Sequence, residues 1–250
     1  MCNRLNSFDS LQRSHKVIHK SHLREGPWRR HGRSMELADR ILFIDGEALV
    51  LDKPAGLPVD TPRRGGDSIA ARLDELKCGF KRPPTAMHRL DMDTSGCLLF
   101  ARTPRARTEF QRLFETKQIE KYYIAVVAAE IAAEHGVVDV PLAKQSSAEA
   151  GWRMVWSEHG LAATTHWRRI AVRDGSTLVE FRPLTGRTHQ IRAHAREAFG
   201  RGIAGDRVYG VPGGPMLLHA SRLVVPRDRK PSIDVTAPLP DTFGGWADVP

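Results

Sequence analysis

Only three cysteines, Cys2, Cys78 and Cys97, occur in 250 residues, and their spacing forms no pairing framework and no CxxC knuckle. A disulfide scaffold and a thiolate metal site are thereby excluded, and a reducing, cytoplasmic setting is expected. No apolar run approaches the ~18 residues that a membrane span requires. The N-terminus lacks the continuous apolar stretch of a secretory signal. There is no GxGxxG and no Walker A loop, so nothing calls for a nucleotide cofactor. GxSxG is missing, which argues against a serine hydrolase. His88, His189 and His194 form no HxH or HxxxH pair, so they read as satisfied polar histidines and no metal is expected.

Charge is present but unevenly spread. The chain carries a formal +9, of which residues 1–34 supply +6 through eight Lys/Arg set against Asp9 and Glu25. A basic chain favours a polyanionic partner, although here most of the excess lies in one segment. Residues 1–36 have few apolar positions at any regular spacing and read as a disordered or loosely attached leader. A basic RNA-binding arm and a start codon placed upstream of a true Met35 are both compatible with it.

Order is expected from Ile41, so residues 37–250 form one domain. The run Ile41–Pro54 reads as two strands joined at Asp45-Gly46, a hairpin signal. Ser68 is placed to cap a helix over Ile69–Lys77 with Ile69, Leu73 and Leu76 on one face. A strand covers Cys97–Ala101. Pro104 then opens a helix to about Thr116, with Phe110, Leu113 and Phe114 inward. Further strands are expected near 122–128, 137–142, 152–156, 162–172, 176–182, 217–225 and 232–236, and a helix over 189–199 ending at Gly200. About ten strands with three or four helices, not in regular alternation, predict an α+β fold. Its core is a mixed, mostly antiparallel sheet with flanking helices.

Three segments crowd polar groups beside apolar strands. In HRLDMDTSG, residues 88–96, Asp93 and Ser95 read as turn residues, whereas Arg89 and Asp91 flank the apolar Leu90 and read as a site. In KYYIAVV, residues 121–127, alternation puts Lys121, Tyr123, Ala125 and Val127 on one face and Tyr122, Ile124 and Val126 on the other. Tyr122 reads as plain core, leaving Tyr123 to offer a ring and a hydroxyl. In RPLTGRTHQIRAHAR, residues 182–196, Arg187, His189, Arg192, His194 and Arg196 crowd a strand-to-helix turn. Cations there oppose the helix dipole, which implies a nearby phosphate or carboxylate.

Together these segments resemble the RluA family of pseudouridine synthases. The family's HRLDxxTSG stands at residues 88–96, TGRxHQIRxH at 185–194 and KxYxAxV at 121–127. Weaker echoes follow in the family's order: DKPAGLPV at 52–59, GDRVYG at 205–210, LLHA at 217–220 and APLP at 237–240. The resemblance implies the pseudouridine synthase catalytic fold and an RNA substrate, ribosomal or transfer RNA stem–loops, with no cofactor; the sequence is silent on oligomeric state, and a monomer is the default. It puts the catalytic aspartate at Asp91, the base-stacking tyrosine at Tyr123 and the arginine paired to the aspartate at Arg192. Arg89 matches an arginine that opens the RNA. Arg187 and His189 join it as substrate-binding residues, and Leu217 and Leu218 fall where apolar contacts to the base are expected. Arg201-Gly202-Ile203 and Val225-Pro226 depart from the family pattern, which bears on loop shape and RNA choice. No N-terminal S4-type RNA-binding domain is expected, because the leader is too short and polar.

The implied reaction breaks the C1′–N1 bond of a uridine, turns the uracil and rejoins it through C5. The target must leave the base stack, and an aromatic surface under the base offsets ~1–3 kcal/mol of that loss. Asp91 would attack C1′ or take a proton from C2′; the residues leave both open. A non-catalytic RNA-binding module is the alternative, and a glycosidase using Asp91 with Asp93 is disfavoured because residues two apart in a tight loop diverge.

Overall fold

The computed structural model describes residues 36–147 and 151–249. Apart from Glu36, the basic leader expected over 1–36 lies outside them. The chain enters through a 3-10 turn, Leu37–Arg40, into strands β1 (Ile41–Ile44) and β2 (Ala48–Lys53). Their hairpin is the expected one. Asp45 caps its own turn, its Oδ1 accepting from the amides of Glu47 and Ala48, both at 2.8 Å. The helix expected over Ile69–Lys77 is a 3-10 segment, Ala70–Leu76. Ser68 Oγ does accept from the Ala71 amide (3.0 Å), and Ile69, Leu73 and Leu76 enter the core together. Seven residues pinned at both ends, the far end by Glu75 taking the Leu37 amide, suit the tighter winding.

β3 (Thr85–Ala86) and β4 (Ser95–Ala101) follow, then α1 (Pro104–Glu115), whose first turn is capped by Thr103 Oγ1 accepting from the Ala106 amide. The remaining strands are β5 (Glu120–Val127), β6 (His135–Asp139), β7 (Leu142–Ser147), β8 (Gly151–Trp156), β9 (Thr164–Arg173) and β10 (Ser176–Pro183). Helix α2 (Gln190–Phe199) ends at Gly200 in the left-handed region, as expected. β11 (Leu218–Val225), β12 (Ile233–Thr236) and a 3-10 segment, Asp241–Trp246, finish the described chain.

Ten of the twelve described strands form one sheet in the order β1-β2-β4-β11-β5-β10-β9-β6, with β3 beside β4 and β12 beside β11. All its pairs are antiparallel except one: β4 and β11 run parallel at the centre, matching Ser95 with His219 and Gly96 with Ala220. The expected mixed, mostly antiparallel sheet is therefore present. β7 and β8 pair only with each other, as a separate hairpin.

The central parallel pair divides the sheet into two halves. In the first, α1 covers one face through Phe110 and Leu113, while Leu51, Leu98, Phe100 and Ile69 fill the other. In the second, α2 packs on Val179, Phe181 and Ala125 through Ile191 and Ala195. A cleft of about 630 Å³ opens where the halves meet.

Candidate active site

Asp91 stands in the loop that enters β4. Leu90 is buried in the core and ties this loop down on one side of Asp91. On the other, the Thr94 amide donates to the Asp91 carbonyl (3.1 Å) and closes a tight turn. A lysine fastens the loop from beneath. Lys53, at the end of β2, is fully buried and donates to the carbonyls of Pro54 (2.8 Å), Leu57 (2.8 Å) and Met92 (2.9 Å). Burial pushes its pKa down to about 8, with Asp93 and Asp91 pulling the other way. The three carbonyls satisfy all three ammonium donors.

The second wall is the strand-to-helix turn before α2. Gln190 is buried and fully bonded. Its Oε1 accepts from Thr185 Oγ1 (2.7 Å) and the Arg187 amide (2.9 Å), and its Nε2 donates to the Thr164 carbonyl (3.0 Å) and Thr165 Oγ1 (2.9 Å). His194, one turn on, bridges Thr165 Oγ1 and the Val140 carbonyl. These contacts explain why polar residues crowd TGRTHQIRAH: they lock the turn to β9 and aim Arg192 at the loop of the other half.

Arg192 joins the two halves. Its Nη1 donates to Asp91 Oδ2 at 2.9 Å, while Nε and Nη2 grip both oxygens of Asp206 at 2.7 and 2.8 Å. The carboxylate half of the anion expectation is thus met twice. Burial opposes the guanidinium's charge, but Asp206 and Asp91 outweigh it and raise its pKa. Asp206 has no exposed side-chain area. Burial alone would raise its pKa, yet Arg192 and the amides of Val208 and Tyr209 hold it below the carboxylate range.

Tyr123 lines the same cleft from β5. Burial, then the Asp91 charge, push its phenol up, so its hydroxyl stays protonated. Leu218 lines the cleft from β11. His189 sits in the left-handed region (φ 53°), with Nε2 3.8 Å from Asp91 Oδ2 and Nδ1 3.1 Å from the Tyr209 hydroxyl. Burial first, then Arg192, lower its pKa. Trp152 of the separate hairpin stacks on its ring at 4.7 Å, and the Met154 amide donates to the Tyr209 hydroxyl (2.7 Å), so this hairpin is fastened to the site.

Arg89 and Arg187 line the cleft's mouth. Arg89 is exposed and pairs with Asp60 at 3.0 Å; Arg187 Nε donates to the Ala162 carbonyl at 3.0 Å. Leu217 is not in the cleft. Strand alternation turns it to the opposite face, where it packs with Val126, Leu178 and Phe243. Tyr122 is not plain core either: its ring lies under Arg182 and Arg222, and its hydroxyl donates to Glu120 (2.5 Å). Ser95 is structural as expected, but it bonds the His219 ring (2.9 Å) rather than its own backbone. Asp206, Tyr209, Lys53 and Trp152 carried no assigned role in the sequence. For Asp206 and Tyr209 the signal was GDRVYG, an acid and a phenol within a short glycine-bounded segment; for Lys53 it was a lysine ending an apolar strand.

A carboxylate held by arginine and a tyrosine line one cleft, and its volume is that of a small-molecule-sized site. Residues 47–197 match the family model described as RNA pseudouridylate synthase. The chain is 46% identical over 211 residues to an uncharacterized RNA pseudouridine synthase of Zymomonas mobilis, covering 83% of this chain and 96% of that one. It is 34% identical over 193 residues to the dual-specificity RNA pseudouridine synthase RluA of Yersinia pestis, covering 74% and 91%. The solved structure of human RNA pseudouridylate synthase domain containing 4 superposes with a TM-score of 0.71 at 27% identity, covering 83% of this chain and 91% of that one. The chain belongs to the RluA family of RNA pseudouridine synthases and acts on RNA as an isomerase.

Proposed function

We propose that Asp91 is the group that opens the glycosidic bond of a uridine flipped from a ribosomal or transfer RNA stem–loop. The observation that carries this reading is the Asp91 carboxylate itself: it is held at 2.9 Å by Arg192, within the cleft that Tyr123 lines. The Arg192 contact orients the carboxylate. Asp91 attacks C1′ or removes the C2′ proton, and the C1′–N1 bond breaks with its electron pair going to the uracil. The uracil turns and C5 bonds to C1′ as the Asp91–C1′ bond breaks or, on the other route, as Asp91 returns the proton to C2′; the C5 proton leaves and N1 gains one, so that atoms and charge balance with no co-reactant. Tyr123 stacks under the base, and its protonated hydroxyl is the nearby carrier for that proton. Arg89, Arg187 and His189 meet the RNA around the extruded nucleotide, and Leu218 meets the base.

The RNA class rests on relatives whose names carry ribosomal and dual-specificity activities. Three scattered cysteines support a reducing, cytoplasmic setting, and a monomer suffices because every proposed group comes from one chain. The test is pseudouridine mapping in RNA from cells lacking the protein, after adding purified wild type or Asp91→Asn. Discrete sites restored by wild type alone are expected, with RNA binding by the variant largely retained. Equal restoration by the variant would sink the role of Asp91.

A further inference from the structure

Lys121 is not used by the chemistry above, yet it stands in the cleft wall. It shares a strand face with Tyr123, two residues away, which on a strand means a separation of roughly 6.5 Å. The other wall cations are engaged: Arg192 by Asp91 and Asp206, Arg182 by Glu120, Arg89 by Asp60, and Arg187 by the Ala162 carbonyl. Lys117 is exposed at the rim. Lys121 is partly buried, and among the described residues its ammonium has no hydrogen bond and no ion pair. The adjacent Glu120 also lines the cleft, but its carboxylate is taken by the Tyr122 hydroxyl and Arg182. Gly186 lies beside the ammonium, where a Cβ would stand 3.9 Å from Nζ, and as a glycine it offers no side-chain acceptor.

An ammonium that lines a cleft with no protein acceptor is placed to take an anionic one from a bound molecule. Resting on the isomerase reading of this cleft, we infer that Lys121 binds a backbone phosphate of the flipped nucleotide, one sugar away from the base that lies on Tyr123. Its position favours phosphate over the detached uracil anion. It is offset along β5 from the Tyr123–Asp91 centre, toward the end where Lys117 marks the rim. Burial lowers the Lys121 pKa, as expected of an ammonium waiting for its anion.

The test uses the full chain and a synthetic stem–loop bearing a mapped target uridine, made with natural phosphates or with a methylphosphonate at the 5′ or the 3′ phosphate of that uridine. Lys121→Met, with Lys121→Gln as the second variant, is expected to weaken binding to the natural RNA about 5- to 10-fold. It should also reduce the salt slope of affinity by about one ion. One of the two methylphosphonates should lower wild-type affinity to the variant's level and leave the variant's own affinity unchanged. The melting temperature should hold or rise in both variants. A wild-type-to-variant gap that persists on both methylphosphonate RNAs overturns the inference, as does unchanged affinity with a lowered kcat, which would move Lys121 to the uracil anion. Because affinity is read without turnover, failure of the isomerase reading shows separately, as no pseudouridine made by wild type.

Discussion

Arg192 binds two carboxylates that differ in burial, and this difference separates activity from stability. Asp91 keeps 23% of its side chain exposed, whereas Asp206 keeps none. Arg192→Met strands Asp206 as a buried, unpaired charge, a change that typically costs about 3–5 kcal/mol. For a chain of this size that lowers the melting temperature by on the order of 10 °C. Asp91→Asn leaves Arg192 gripped by Asp206, so calorimetry should show a shift within ~2 °C while turnover is lost. Equal destabilisation by the two variants would contradict this division. Arg192→Lys should resemble Arg192→Met, because a single ammonium cannot reproduce three directed bonds to two partners. That Asp91, Tyr123 and Arg192 come together in one cleft was legible from their motifs. Asp206 was not, because nothing in the sequence says that a loop 14 residues further on folds back to the same guanidinium.

At the scale of elements, the seam between β4 and β11 is sealed by His219, which is fully buried with Nδ1 2.9 Å from Ser95 Oγ and Nε2 3.4 Å from the Ala237 carbonyl. This pairing suits the neutral ring: Nδ1 accepts from the hydroxyl and Nε2–H donates to the carbonyl. Burial, with Arg40 adding to it, brings the His219 pKa down to about 4. Unfolding restores a value near 6.5, so between about pH 6.5 and 4 the unfolded chain binds the extra proton and stability falls as pH falls. The contribution, up to about 3 kcal/mol, is complete above pH 6.5. Melting curves of wild type and His219→Gln should converge as pH drops through this window; parallel curves would show that His219 does not titrate this way. Gly96, on the same seam at φ 103°, faces the Ala220 carbonyl where a Cβ would collide, so Gly96→Ala should cost more than His219→Gln at neutral pH. The elements with strong periodicity, α1, β4, β5 and α2, were legible. β7 was not: LAKQSS has only Leu142 and Ala143 as apolar residues, side by side rather than alternating, and its pairing with β8 is accompanied by the hairpin's attachment to α2 and Tyr209. The parallel pairing at the seam is a long-range choice that local pattern does not encode.

Across the whole molecule, ten strands share one hydrogen-bonded sheet, and the Asp91–Arg192–Asp206 contact ties loops from its two halves. A continuous sheet with a buried charge link across its middle should unfold as one unit. Four of the five tryptophans, Trp152, Trp156, Trp167 and Trp246, lie in the second half and the C-terminal segment, so fluorescence of a Trp28→Phe variant should change at the same denaturant concentration as far-ultraviolet circular dichroism. Two separated transitions would show that the halves are independent. The division of the site between the halves also bears on the protein's own birth. The aspartate leaves the ribosome 101 residues ahead of its arginine. At about 5–20 residues per second, the nascent chain spends roughly 5–20 s with the carboxylate made and its clamp still unwritten. On the role proposed for Asp91, an enzyme born beside abundant RNA stays inert until Arg192 has been made, and its first turnover reports that the second half has docked.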